Sequence, residues 1–250
     1  MAVSHYIEND LFLNIARRLT KASSVHKFGA VPLMSTNPGT GSIWDKNDTY
    51  YPWDAFDTPT NLSVSTTTAN GSLSSLDDGV SITIIGLDEN FQEVSETITV
   101  STNSGTGSQT FARVYRAFTS ADNQTQFRVS TVADTPVEVL RINIGKGQTL
   151  MAIYTVPFGY TGYLMKGTAT VGNNGDATVD MFVRYGASGA FRIGHTLEAS
   201  TTGGQYSYDF TTPVRLPQKT DIDLRAEVRS NNCRVTAAFD LILIPEANNS

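Results

Sequence analysis

The feature that most constrains the fold is a long series of short segments in which apolar and polar residues alternate. They begin after Gly29 and are separated by turn residues at intervals of roughly ten positions, with Ser, Thr, Gly and Asn frequent throughout. Alternation with a period of two places apolar side chains on one face of a β-strand. We therefore predict an all-β chain, with an N-terminal helical arm followed by two antiparallel β-sandwich or jelly-roll-like domains.

Two of these segments read as hairpins. Residues 81–100 alternate on both sides of a turn at 88–90, and residues 221–243 alternate on both sides of a turn at 230–232. The strand that begins at residue 221 has a charged face formed by Asp221, Asp223, Arg225, Glu227 and Arg229. A one-residue slip would bury that whole face, so the register is strongly specified. We predict a final hairpin whose charged face lies in water.

One segment reads as an amphipathic helix, over residues 8–21. Its apolar positions recur every four residues at Ile7, Leu11, Ile15 and Leu19. Asn9 or Asp10 is the predicted N-cap. Arg17 and Arg18 lie where helix carbonyls favour cations. A helix of this length is marginal alone in water, so we expect it to pack on its own body or on a partner.

The predicted domain organisation follows from these patterns. Residues 1–40 form the N-terminal arm with its one helix, residues 41–146 the first β-domain, and residues 147–250 the second β-sandwich. The boundary is placed near Gly145–Gln148, where one set of strands ends and another begins.

Composition and charge exclude several classes of function. The chain has a formal charge of −6, and residues 31–150 carry thirteen acidic and six basic side chains, so binding to nucleic acid is not expected. A single cysteine, Cys233, excludes an internal disulfide. Because no catalytic motif is present, we expect no enzymatic activity, no cofactor and no metal site. With neither a signal peptide nor a long apolar run, we expect a protein made in a cytoplasm that does not enter a membrane.

The stretch IWDKNDTYYPWDAFD, residues 43–57, holds both tryptophans of the chain. Exposed Trp44, Tyr51 and Trp53 rings would form a platform for stacking on sugars. The nearby aspartates, Asp45, Asp48, Asp54 and Asp57, would then bind hydroxyls or Ca²⁺, although their spacing matches no established calcium loop. The alternative is that the rings fill a core or an interface while the aspartates form turns. We expect the rings to hold the arm, the first domain and a neighbouring subunit together.

Several stretches resemble a family of virion structural proteins of tailed bacteriophages, particularly marine and environmental phages. They are SSVHKFG at 23–29, IIGLDENFQEVSETITV at 84–100, GQTLMAIYTVPFGYTGYL at 147–164, and DIDLRA and AAFDLILI near the end. The resemblance implies a non-enzymatic component of the particle, located in the virion. The expected role is decoration of the capsid or attachment at the neck or tail. The apolar face of the arm, with Arg17 and Arg18, would dock into a groove of another virion protein.

Two other classes of function stay open from the sequence. One is a carbohydrate- or receptor-binding adhesion module of a tail fibre, with Trp44, Tyr51 and Trp53 as its glycan surface. The other is a β-sandwich enzyme acting on polysaccharide, which would need two acids facing each other in a cleft. By analogy with β-rich particle subunits we expect a homo-oligomer, with a trimer as the first expectation.

Overall fold

The computed structural model describes residues 10–37, 39–172, 175–200 and 204–246. The chain begins with a short helix, α1 (Leu11–Ala16), followed by β1 (Ser23–Met34) and β2 (Thr40–Ser42). Next come β3 (Leu62–Thr67), β4 (Ser81–Leu87), β5 (Glu93–Thr99), β6 (Ser104–Thr106), β7 (Arg113–Thr119), β8 (Gln126–Thr131) and β9 (Glu138–Ile142). The last are β10 (Ile153–Thr155), β11 (Tyr160–Val171), β12 (Asp176–Arg184), β13 (Arg192–Ser200), β14 (Tyr206–Leu216), β15 (Asp221–Ser230) and β16 (Cys233–Pro245). Short 3-10 helices lie at Trp53–Phe56 and Tyr185–Ala187.

The strands form four antiparallel sheets, which confirms the predicted all-β class. Two sheets face each other in a body that we call the sandwich. One has the order β1-β16-β11-β14, and the other has the order β10-β15-β12-β13, with β2 beside β15. The two remaining sheets, β6-β3-β8-β9 and β5-β4-β7, belong to residues 43–152, which we call the inserted unit.

The pairing within the sandwich follows one rule. The sandwich has eight main strands, which in chain order are β1 and then β10 to β16. When they are numbered from one to eight in that order, the first pairs with the eighth and the second with the seventh. The third pairs with the sixth and the fourth with the fifth. This is the pattern of one long antiparallel ribbon. Two further pairings, β16 with β11 and β15 with β12, fold that ribbon over into two sheets.

The inserted unit enters and leaves the sandwich at adjacent points along β15. β2 pairs with residues 225–227 and β10 with residues 221–223 of that strand. Between them the two crossings touch, because Ala152 N–H donates to the Ile43 carbonyl at 2.9 Å. The sandwich is therefore discontinuous in sequence. This corrects the predicted arm of residues 1–40, since residues 23–34 are a full strand paired with β16.

Each body has its own hydrophobic core. The sandwich core is made chiefly of apolar side chains of the facing strands, such as Val179, Leu224, Val235 and Phe239. The core of the inserted unit is formed by residues between 44 and 153, including Phe111, Phe127 and Leu140. The predicted boundary at residues 146 and 147 stays a prediction.

The predicted helix is shorter than expected. Asp10 caps its start by accepting the Leu13 N–H at 3.0 Å, as predicted. At its other end Arg18 has a φ of 59°, and the Leu19 N–H donates to the Asn14 carbonyl at 2.9 Å. This is a Schellman motif, which ends the helix at Ala16 so that the chain can turn into β1.

Of the two predicted hairpins, one is present. β4 and β5 pair from Ser81↔Thr99 to Leu87↔Glu93, which confirms the first. The second prediction is wrong, because β15 and β16 are joined by a tight turn but lie in opposite sheets. Their apolar faces do meet in the core, as the alternation required.

Candidate functional site

The most chemically dense part of the molecule is the seam where the inserted unit packs against β15. The charged face of this strand was predicted to lie in water. The structure places Asp221 and Asp223, which belong to that face, with no exposed surface. The inserted unit covers this end of the face, whereas Glu227 and Arg229 farther along remain exposed. Burying two carboxylates requires compensating partners, since an unpaired buried charge is strongly unfavourable.

Asp221 joins the two bodies through paired arginines. Arg113 of β7 donates from Nε to Oδ1 at 3.0 Å and from Nη2 to Oδ2 at 3.3 Å. Arg184, at the end of β12, donates to Oδ2 from Nε and Nη2 at 2.9 and 2.7 Å. The Thr155 hydroxyl completes the site with a 2.6 Å bond to Oδ1. One carboxylate therefore links β7 of the inserted unit to three strands of the sandwich.

Asp223, two residues further along the same face, is less completely satisfied. Its Oδ2 accepts bonds from Trp53 Nε1 at 3.0 Å, from the Ser42 hydroxyl at 3.0 Å and from Arg225 Nε at 2.8 Å. Its Oδ1 is buried and has no hydrogen-bond partner among the described residues. Burial raises the pKa of this carboxyl, while Arg225 opposes that shift.

The predicted aromatic patch is not on the surface. Trp44, Tyr51 and Trp53 are only 1%, 3% and 6% exposed. The rings meet edge to face, with centroids 5.4 Å apart between Trp44 and Tyr51 and 5.0 Å apart between Tyr51 and Trp53. These rings are closed to a sugar, so the glycan-platform interpretation of this stretch is corrected. Within the chain, Trp53 connects the inserted unit to Asp223 of the sandwich.

The aspartates of this stretch serve local structure. Asp48 accepts the Ser35 N–H at 2.9 Å, and Asp54 lies in the short helix at Trp53–Phe56. Asp45 is buried and accepts the Leu150 N–H at 2.5 Å and Asn143 Nδ2 at 3.3 Å. Burial raises its pKa to about 7, against the opposing effects of these bonds and of Arg141. Across the described ranges, no three His, Cys, Asp or Glu side chains come together as a metal site.

The seam continues to a third polar contact, on β1. Lys27 is buried, and its Nζ donates to the backbone carbonyl of Tyr115 in the inserted unit. The ammonium lies 5.5 Å from the Tyr115 ring centroid, and the Tyr115 hydroxyl donates to Glu93 at 2.6 Å. Burial, and secondarily the charge of Arg116, lower the pKa of Lys27 to about 7. These side chains line a cavity of about 440 Å³.

Gly29 allows the two bodies to approach closely next to Lys27. A Cβ at this position would lie 2.4 Å from the Ala152 nitrogen and 2.6 Å from the Ile43 carbonyl oxygen. Both are backbone atoms of the segments that enter and leave the inserted unit. This close approach gives a physical reason for the glycine of the SSVHKFG stretch.

The predicted docking residues of the arm differ in their exposure to solvent. Ile15 is buried within this chain, whereas Leu11 and Leu19 are exposed. Leu19 also lies beyond the end of the helix at Ala16, so the predicted four-residue repeat does not continue to it. Arg17 and Arg18 are exposed, at the helix C-cap and in the turn that follows. Ile7 lies outside the described residues. Phe12, at 60% exposure, is a large apolar side chain of the segment that the prediction did not include.

The sequence patterns did not predict that the polar contacts of the seam would form. The residues concerned are Arg113, Arg184, Asp221, Asp223 and Lys27. A signal for the two aspartates was present, because they alternate with buried apolar residues on β15. Nothing local indicated that an arginine 108 positions away in sequence would reach Asp221.

Comparisons with known proteins give only weak similarities. No protein-family model matches the sequence, and no curated protein matches it. Weak structural neighbours include proteins of viral particles. A structure of infectious bursal disease virus, Gx strain, has a TM-score of 0.25 at 10% identity, covering 91% of this chain and 73% of that one. The VP2 subviral particle of the same virus has a TM-score of 0.20 at 10% identity, covering 92% and 73%. Likenesses at these TM-scores carry no argument about this chain.

No helix in the described part of the chain is long and apolar enough to cross a membrane.

Proposed function

We propose that this protein is a non-enzymatic structural component of a virion, belonging to a tailed bacteriophage. The observation that carries the proposal is the strand pairing of the sandwich, first with eighth, second with seventh, third with sixth and fourth with fifth. An antiparallel ribbon folded in this way is a jelly roll, an architecture found in viral capsid and lectin domains. Because a fold alone does not establish a function, the resemblance of the sequence to phage virion proteins is the second support.

The proposed position is on the capsid or at the neck or tail, docked through the N-terminal segment. Its support is the concentration of exposed apolar side chains before β1, where Leu11, Phe12 and Leu19 are 51%, 60% and 62% exposed. Large apolar side chains grouped at the surface mark interaction sites more often than isolated ones do. The groove that receives them would belong to another virion protein.

Self-association is proposed through the edge formed by β13 and β14, with a trimer as the expected state. Both strands are the last in their sheets, and β14 is exposed along most of its length. Tyr206 and Tyr208 are 39% and 41% exposed on this strand. An edge strand offers unpaired backbone groups to a second chain, and aromatic residues are enriched at protein interfaces, so we expect another subunit to cover this edge.

The test begins with an electron-cryomicroscopy map of the parent particle, with the chain identified in density and by mass spectrometry. Density for this chain on the head, neck or tail would support the proposal, and its absence from purified particles would overturn it.

The role of the N-terminal segment is tested separately by deleting residues 1–22. This deletion leaves β1 complete, whereas a longer one would remove a strand paired along β16. We expect a folded protein that no longer incorporates into particles. Substitution of Glu89 by Ala, an exposed change in the turn between β4 and β5, serves as the control for incorporation. Normal incorporation of the deleted chain would show that the segment is not the anchor.

A further inference from the structure

A groove on the other side of the seam gathers positive charge in a chain that is otherwise acidic. It has a volume of about 670 Å³ and lies between the ends of β8 and β9 in the inserted unit and β1 and β16 in the sandwich. Its wall includes Lys46, Arg141, Lys146 and Arg234. Residues 31–150 hold only six basic side chains against thirteen acidic ones, and three of those six line this groove.

Three of these four cations are available to a ligand. Arg141 forms a two-point ion pair with Glu138, at 2.5 and 2.8 Å. Lys46, Lys146 and Arg234 have no carboxylate partner among the described residues. Lys146 and Arg234 are exposed, and Lys46 is half-buried with its Nζ 5.9 Å from the Trp44 ring centroid. Unpaired cations that converge on one concave surface attract anions at close range.

The floor of the groove is polar and held in place. Asn143 Nδ2 donates to the Asp45 carbonyl and carboxylate at 3.2 and 3.3 Å, and Gln126 Nε2 donates to Asn143 Oδ1 at 2.7 Å. Asp45 in turn accepts the Leu150 N–H. These bonds fix the floor before any ligand arrives, which reduces the ordering cost of binding.

We propose that this groove binds a short acidic saccharide, one to three rings long, that carries carboxylate or sulfate groups. The groove is large enough for such a ligand. A long polyanion is disfavoured, because the chain carries a formal net charge of −6 that would repel its remaining length. Apolar side chains of the wall, from Ala30 and Ala69 to the larger Leu150 and Ile144, offer surface on which a saccharide ring can pack.

The test is calorimetric titration of the full chain with 3′-sialyllactose and trigalacturonic acid, each against a matched neutral sugar, lactose or galactotriose. We expect the acidic sugars to bind and the neutral sugars to bind at least about tenfold more weakly. Sodium sulfate and sodium phosphate at equal ionic strength form a third arm. Equal binding of these free ions, or no binding of either acidic sugar, would overturn the proposal.

The matched variants are Lys146→Glu with Arg234→Glu in the groove and, as a control with the same change in net charge, Lys21→Glu with Arg116→Glu outside it. All four positions are exposed, so the substitutions spare the core. We expect the groove variant to lose at least about tenfold in affinity and the control to stay within about twofold of the natural protein. Circular dichroism verifies that each variant is folded. Equal losses in the control and the groove variant would indicate that overall charge, and not this groove, attracts the sugar.

The pH dependence gives an independent readout. Asp45 belongs to the floor of the groove, which is also lined by Arg141, Lys46, Lys146 and Arg234, and Arg141 is close enough to oppose the rise of its pKa. Below pH 7 its carboxyl is neutral, and above pH 7 it adds a negative charge that opposes an anion. We expect affinity to fall about threefold between pH 6 and pH 8 and to stay constant in Asp45→Asn. The same fall in both proteins would exclude Asp45 as the cause.

Discussion

Two of the polar contacts across the seam show opposite ways of burying charge. At one end, Asp221 is held by Arg113 and Arg184, and each arginine lies within 3.0 Å of the carboxylate. At the other end, Lys27 forms no ion pair with a carboxylate of the described residues and donates to a neutral carbonyl, that of Tyr115. Paired charges stay ionised inside a protein, whereas a buried amine without a counter-charge gives up its proton easily.

The difference suggests two roles within one interface. The arginine–aspartate end fixes the orientation of the inserted unit, since its bonds are directional and bidentate. The lysine end closes the same interface but responds to pH in the neutral range. Three predictions follow the interface from its strongest contact to its weakest.

The largest effect is expected for Asp221→Ala. This change leaves Arg113 and Arg184 facing each other at the seam without their shared carboxylate, and Arg113 is almost wholly buried. Removing one partner of a buried ion pair typically costs ~3–5 kcal/mol of the free energy of unfolding. Chemical denaturation followed by tryptophan fluorescence measures it.

The control for this measurement is Asp209→Ala. Asp209 pairs with Lys166 at 3.4 Å, and its side chain is 74% exposed. An exposed pair of this kind contributes little, so no resolvable change is expected. If both variants unfold at the same denaturant concentration, the buried network does not hold the two bodies together.

An intermediate effect is expected when the Asp223 contact is weakened. Trp53→Phe removes the indole N–H from a carboxylate that already has one unsatisfied oxygen. Trp44→Phe is the matched change, because the Trp44 indole donates to a neutral carbonyl, that of Thr49, at 3.2 Å. Bonds to charged groups contribute ~1.5–3 kcal/mol and neutral bonds ~0.5–1.5 kcal/mol. We expect Trp53→Phe to lower the free energy of unfolding more than Trp44→Phe does, and the reverse order would contradict the role assigned to Asp223.

The seam also shows which parts of the fold the sequence predicts. The hairpin at 81–99 was predictable because its determinants are local. Asp88 accepts the N–H groups of Asn90 and Gln92, both at 2.8 Å, and thereby builds the turn that the sequence indicated. The alternation on β15 also predicted its apolar face correctly, with Ile222 and Leu224 fully buried.

The errors arose where the partner of a segment is distant in sequence. A tight turn such as 231–232 has the same local signature whether its strands pair or cross between sheets. β16 pairs instead with β1, more than 190 positions away in the register Ser23↔Leu243 to Met34↔Cys233. In the same way, alternation identified the polar face of β15 but not the inserted unit that covers it. The Trp44, Tyr51 and Trp53 rings illustrate the same limit, since composition does not distinguish an aromatic surface from an aromatic junction.

The smallest expected effect is the change in the free energy of unfolding per pH unit. It is predicted from Lys27 and Asp45, whose pKa values shift in opposite directions. The folded pKa of Lys27 is lowered to about 7, so the unfolded chain binds more protons between about pH 7 and pH 10, and the free energy of unfolding should rise with pH there. The folded pKa of Asp45 is raised to about 7, so the folded chain binds more protons between about pH 4 and pH 7, and the free energy of unfolding should fall with rising pH there. Each slope is at most about 1.4 kcal/mol per pH unit.

Together these two groups predict a minimum in stability near pH 7. Denaturation measured from pH 5 to pH 9 should show it in the natural protein. Lys27→Met should flatten the rise above pH 7 and leave the fall below it, because the fall depends on carboxyls with raised pKa values, Asp45 and Asp223. Asp45→Asn should leave the rise and reduce the fall, with the contribution of Asp223 remaining. If Lys27→Met leaves the rise unchanged, then the amine is not buried in solution as it is in the structure. In that case the contrast between the two ends of the seam fails, and both ends would be fixed by packing alone.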